Sequence, residues 1–144
     1  MYPNPIQMNN LRFATLLHIF SLLAFEKKQW LTSEWMSGSI NINPAVVRKE
    51  LSWLRANGFI ESRKGKEGGV RLAKDPSEIL LGDVMRMVVH DEQILNKKNS
   101  PNPDCPVGRQ MNEKLDELYS GINSRVFAHL DGITLETFIK TIKN

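Results

Sequence analysis

Ten side chains between Thr32 and Lys66 have the types and spacing to hold a nucleic-acid duplex. Arg48, Lys49 and Ser52 share one helical face, from which a guanidinium fork, an ammonium and a hydroxyl can reach base edges. Arg63, Lys64 and Lys66 crowd a glycine-rich turn, where cations anchor on phosphates or enter a minor groove. Thr32, Ser33, Asn43 and Ala45 add short side chains at helix starts beside them. Charge follows the same segment. From Arg48 to Lys74 eight basic residues face three acidic ones, so this stretch carries +5 within a chain of net charge +3. A basic block inside a folded segment suits a polyanion-binding face. A solvated helix followed by a charged hairpin would show the same charge, so the pattern of elements has to decide.

Other chemistries find less support. Cys105 precedes Pro106, which makes it the N-cap of a helix; the positive end of the helix dipole favours thiolate there, and Arg109 one turn on adds to it. Cys105 is thus a candidate redox sensor, and any disulfide must join another subunit or a small thiol. An inert residue closing a helix start would look the same. His18, His90 and His129 are scattered without metal-site spacing. No phosphate loop, nucleophile elbow or paired-carboxylate motif occurs, so neither an enzyme nor a cofactor is expected.

The chain has 144 residues, 41% hydrophobic and 24% charged. These values fit one compact domain, or a small domain with an oligomerisation arm. A lone cysteine excludes a disulfide scaffold. The most apolar run, Phe13 to Phe25, has His18 at its middle and falls short of the roughly 20 residues that span a bilayer. Glu26, Lys27 and Lys28 follow it in place of a cleavage site. A soluble, cytoplasmic protein with no membrane partner is expected.

Residues 1 to 8, with Pro3 and Pro5, read as a frayed arm, and Asn10 as the cap of a first helix from Leu11 to Phe25. Thr32-Ser33-Glu34 starts a short helix ending near Ile40. Asn41 suits a tight left-handed turn, and Asn43-Pro44 is a strong start for a third helix reaching Asn57. On that helix Val47, Leu51 and Leu54 point to a core, while Ala45, Arg48, Lys49 and Ser52 take another face. Phe59–Lys64 and Val70–Ala73 flank the glycine-rich turn as a β-hairpin. Helix, short helix, basic helix and basic hairpin define a winged helix-turn-helix over residues 9–76. Residues 77–104 follow as a short helix, Ile79 to His90, and a mobile polar loop carrying Lys97 and Lys98. Residues 105–144 hold a long helix, Pro106 to about Leu130, and a last helix after Thr134. The long helix carries Val107, Met111, Leu115, Leu118, Ile122, Val126 and Leu130 as one apolar stripe, which a second copy would cover. Met111, Leu115, Leu118, Ile122 and Val126 are the candidate dimer interface. The fold class expected is mainly α with a small β-hairpin wing.

This order of residues resembles the Rrf-two family of winged-helix regulators, the group of IscR, NsrR and CymR. The resemblance rests on Leu11-Arg12-Phe13-Ala14, Thr32-Ser33-Glu34 and Ile42-Asn43-Pro44-Ala45-Val46-Val47-Arg48. It continues through Leu54-Arg55-Ala56-Asn57-Gly58-Phe59-Ile60, Ser62 to Ala73, Leu81-Gly82-Asp83-Val84 and Cys105-Pro106-Val107-Gly108-Arg109. It implies a dimeric, sequence-specific transcription factor on a roughly palindromic double-stranded DNA operator, most often a repressor. It also implies that the region between wing and long helix senses a signal, whose nature stays open between thiol oxidation at Cys105, a small ligand near the dimer helices and a protein partner. Members of the iron–sulfur subgroup hold a cluster there on three cysteines; Cys105 alone falls short, and no cluster is expected. Ser37 and Asn41 stand where the family usually has alanine and glycine. The alternative function is a winged-helix protein-interaction module with only non-specific DNA binding.

Overall fold

Leu16, Ile19, Phe20 and Leu23 recur at helical spacing, and each is at most 1% exposed, so the helix that carries them is enclosed by the rest of the chain. The computed structural model describes residues 5–97 and 100–143, residues 5–9 as backbone alone. The central helix is α1 (Pro5–Phe25). It is followed by α2 (Ser33–Ile40), α3 (Pro44–Ala56), β1 (Ile60–Arg63), β2 (Gly69–Leu72) and a 3-10 turn at Pro76–Glu78. Then come α4 (Leu81–Arg86), α5 (Pro106–Asp131) and α6 (Leu135–Ile139). α2, α4, α6 and β2 pack on α1, and Phe20 meets Phe59 edge to face at 5.9 Å. Burying each such side chain contributes roughly 1.5–3 kcal/mol, so this packing, more than any polar contact, fixes where α2 and α3 stand.

Local signals set both ends of the turn between α2 and α3. Thr32 accepts a hydrogen bond from the Trp35 backbone N–H at 3.1 Å. Asn41 closes α2 in the left-handed region at φ 62°, a conformation Asn tolerates. Asn43 accepts from the Ala45 N–H at 2.8 Å, with Pro44 at the first helical position. Val47, Leu51 and Leu54 face the core as their spacing requires, and Ala45, Arg48, Lys49 and Ser52 face out. Arg12 of α1 anchors α3 from behind: its Nε lies 3.2 Å from both oxygens of the buried Glu50, and its guanidinium covers Trp53 at 5.4 Å.

The hairpin pairs Ile60 with Leu72, Glu61 with Arg71, Ser62 with Val70 and Arg63 with Gly69, antiparallel. Leu31 adds a further edge: its N–H donates to the Val70 carbonyl at 2.9 Å, and its carbonyl accepts from the Val70 N–H at 2.8 Å. Gly69 makes that approach possible, because a Cβ there would stand 2.5 Å from the Leu31 carbonyl oxygen. The result is a winged helix-turn-helix, mainly α with a small β-hairpin, carrying one long helix.

Several elements differ from expectation. α1 starts at Pro5, so Asn10 lies inside the helix and caps nothing; proline at the first helical position is a good start. Pro3, placed in a frayed arm, lies outside the described residues, as does Lys98 of the loop. The helix expected from Ile79 to His90 is only Leu81–Arg86. Ile79 and Leu80 are held extended, because the Ile79 carbonyl accepts from the Leu135 N–H at 2.7 Å and Leu81 donates to the Ile133 carbonyl at 2.9 Å. The 88–97 segment is also tied down, since the buried Asn123 amide bonds both the N–H and the carbonyl of Leu95, at 3.0 and 3.1 Å. α6 ends at Ile139, which leaves Ile142 beyond it and exposed.

Arg86 joins the two halves of the chain. It forms a bidentate pair with Asp131 of α5 at 2.8 and 2.6 Å, reaches Glu92 at 2.6 Å and covers Phe127 at 4.8 Å. The hydrogen bonds that Arg86 donates to Asp131 and Glu92 push its pKa above its already high value, and Arg86 in turn holds the Asp131 carboxyl below the usual aspartate range.

Candidate nucleic-acid interface

One concavity of about 410 Å³ gathers residues from α2, α3 and the wing. Thr32, Ser33, Arg48, Ser52, Arg63 and Lys66 line it, six of the ten side chains the sequence marks as DNA-binding candidates. Ala45 and Lys49 lie on the same exposed face of α3, and Lys64 stands exposed at the wing. Asn43 is committed to its cap, and the Thr32 hydroxyl likewise serves α2. The structure adds two charged residues to the lining that sequence reasoning missed, Glu34 and Arg55. Arg55 lies seven positions after Arg48 on α3, a spacing that could have revealed it. Glu34 carries no such signal.

The cations differ in how firmly they are held. The Arg48 Nη1 donates to Glu34 at 3.4 Å, and the second oxygen of Glu34 accepts from the Ser33 hydroxyl at 3.2 Å. Arg63 donates to the Glu67 carbonyl and stacks on the Trp30 ring at 4.8 Å. Arg71 covers the same ring at 4.3 Å and pairs with Glu61. Trp30 thus fixes two guanidinium groups of the wing by cation–π contact. Among the described residues no carboxylate lies within ion-pair distance of Lys49, Lys64 or Lys66. A polyanion would meet positioned arginines and loosely held lysines.

Cys105 caps α5 as its position implies: it is exposed, and its sulfur accepts from the Gly108 N–H at 3.4 Å. Val107, Met111, Leu118 and Ile122 of the α5 stripe are exposed, Val107 by 65% and Leu118 by 59%, while Leu115 and Val126 are half-buried. The face of α5 turned inward is a different one, Asn123 and Phe127. No helix among the described residues is long and apolar enough to cross a membrane.

A winged helix-turn-helix whose recognition helix and wing share one cationic concavity is the architecture of a DNA-binding regulator. Residues 10–141 match the Rrf2 family, described as iron-dependent transcriptional regulators. The chain belongs to this family and is a DNA-binding transcriptional regulator. It is 38% identical over 115 residues to YwnA of Bacillus subtilis (strain 168), which carries the name of an HTH-type transcriptional regulator; the match covers 80% of this chain and 84% of that one. NsrR of the same organism, also named as an HTH-type transcriptional regulator, is 28% identical over 131 residues, covering 86% and 84%. The solved structure of CymR, the global cysteine regulator of B. subtilis, superposes with a TM-score of 0.69 over 99% of this chain and 98% of that one, at 20% identity. That likeness is one of fold.

The family description names iron, and the donors present do not fit a cysteine-held cluster. The sequence contains one thiol, where a cluster is held by several. Among the described residues no three His, Cys, Asp or Glu side chains converge.

Proposed function

We propose that this chain is a homodimeric transcriptional repressor that reads a roughly palindromic operator and is released by a chemical signal. The cationic concavity shared by α2, α3 and the wing carries the reading. Residues 9–76 form the DNA-binding unit, with Arg48, Lys49 and Ser52 at base edges and Arg63, Lys64 and Lys66 on the backbone or in a minor groove. Thr32, Ser33, Asn43 and Ala45 support the approach at the helix starts. Residues 105–144 form the dimerisation unit. Its support is the apolar stripe Met111, Leu115, Leu118, Ile122 and Val126, largely exposed on a helix about 39 Å long. A two-fold pair of such helices would place two recognition helices on successive turns of one duplex face.

Residues 77–104 are the sensing segment. A cavity of about 510 Å³ between the 91–97 turn and α5 is large enough for a small molecule, and the exposed Cys105 is the site at which an oxidant would act. A Cys105→Ser variant that still lets go of DNA under oxidant would remove the thiol from the mechanism and leave the ligand.

The deciding experiment is anisotropy of labelled DNA from upstream of the gene, titrated with reduced protein against scrambled DNA of equal length, over a salt series. Binding about a thousandfold tighter than to the scrambled duplex is expected. Equal binding to both would leave a protein-interaction module that grips only phosphates.

A further inference from the structure

Within the cationic concavity the single acidic side chain is Glu34, set among Arg48, Arg55, Arg63 and Lys66. Its presence there is not explained by stability. Both partners of the Glu34–Arg48 pair are exposed, by 71% and 56%, and such pairs contribute little to folding. As a first-turn acid it helps α2 only modestly, and Thr32 already caps that helix. A carboxylate facing an approaching polyanion weakens attachment to every sequence. The geometry shows what it does in return. One oxygen accepts from the Arg48 Nη1 and the other from the Ser33 hydroxyl, so the carboxylate bridges the corner of the helix-turn-helix and draws one end of the guanidinium toward α2. Arg48 keeps Nε and Nη2, and no acceptor among the described residues takes them. Those two donors form the edge that matches two acceptors of a guanine in the major groove.

Resting on the DNA-reading function above, we propose that Glu34 is a specificity-determining residue that acts through Arg48. It presents the Nε–Nη2 edge to a base, and its charge keeps Arg48 from settling on a phosphate where no matching base is met. Glu34 thus gives up sequence-independent affinity and gains discrimination. It is a positioning residue, and its effect is read in the ratio of specific to non-specific binding.

The test begins with selection of duplexes from a randomised pool by the full chain. Wild type, Glu34→Gln, Arg48→Ala and the double variant are then titrated with the selected duplex and its scrambled counterpart over a salt series. Glu34→Gln keeps the shape and removes the charge. It should tighten binding to scrambled DNA about threefold to tenfold and steepen the salt slope on that DNA by about one phosphate's worth. The ratio of the two affinities should fall about tenfold, and in the Arg48→Ala background the same change should leave the ratio as it was. Tighter binding to scrambled DNA cannot come from an unfolded fraction, so misfolding does not imitate this result. An unchanged ratio, an equal weakening on both duplexes, or an undiminished effect without Arg48 overturns the proposal. If wild type selects no sequence, the operator-reading function itself fails and the role of Glu34 falls with it. If wild type selects and Glu34→Gln discriminates equally well, only the role of Glu34 falls.

Discussion

On the DNA face proposed above, Arg48 and Lys64 sit in different surroundings. Arg48 of α3 donates to Glu34 of α2, whereas Lys64 at the wing has no carboxylate within ion-pair distance among the described residues; both are exposed. Arg48→Ala should cost about 1–3 kcal/mol on the preferred duplex and relax the preference at one base position. Lys64→Ala should weaken all sequences alike and make the salt slope shallower by about one. Salt-dependent titration of both variants on two duplexes checks the pair, and the reverse pattern would exchange their roles. A second residue-scale expectation concerns acid. Because Arg86 lowers the Asp131 pKa, the ionised carboxylate stabilises the fold fully above the unfolded aspartate value of about 3.9, and that contribution disappears as the pH falls through the lower folded value. Urea denaturation of Asp131→Asn against wild type should therefore show a constant deficit near neutral pH that shrinks below about pH 4. A deficit that persists unchanged in acid would refute the assignment.

At the scale of elements, the parts whose ends are set locally were the ones legible in the sequence. Thr32, Asn41 and Asn43-Pro44 each act within three or four residues, and α2 and α3 begin and end where those residues require. The stripe on α5 and the cap at Cys105 were legible for the same reason. The expectation went astray where hydrogen bonds from distant residues decide. α4 starts late because Ile133 and Leu135, some fifty residues on, hold Ile79 to Leu81 in place. α1 begins six residues before its apolar pattern, which starts only at Leu11, because Pro5 already suffices as a first helical residue. Glu34 stayed hidden because its partner lies 14 positions away. The wing offers its own test. Trp30 carries two of its arginines, so Trp30→Ala should lower affinity for every duplex about threefold to tenfold and leave base preference unchanged. A changed preference in the selected sequences would show that the wing reads bases.

For the whole molecule the unburied surface is the governing fact. Leu118 and Ile122 are exposed on α5, and the paired assembly proposed above depends on covering them. Leu118→Glu together with Ile122→Glu should yield a folded monomer by sedimentation, with far-ultraviolet circular dichroism retained and affinity for a palindromic duplex reduced at least about a hundredfold through loss of the second half-site. A dimer that survives both changes would place the interface elsewhere. One feature of the fold then constrains the target itself. The reciprocal Leu31–Val70 hydrogen bonds fasten the wing to the strand of chain that leads into α2, so the wing is braced against the helix-turn-helix and not joined to it by its own turn alone. On the DNA-reading function proposed above, that brace sets the gap between the wing's contact and the helix's contact, as in a caliper. One base pair inserted within a half-site would shift one contact by about 3.4 Å along the axis and turn it about a tenth of a revolution, and should weaken binding.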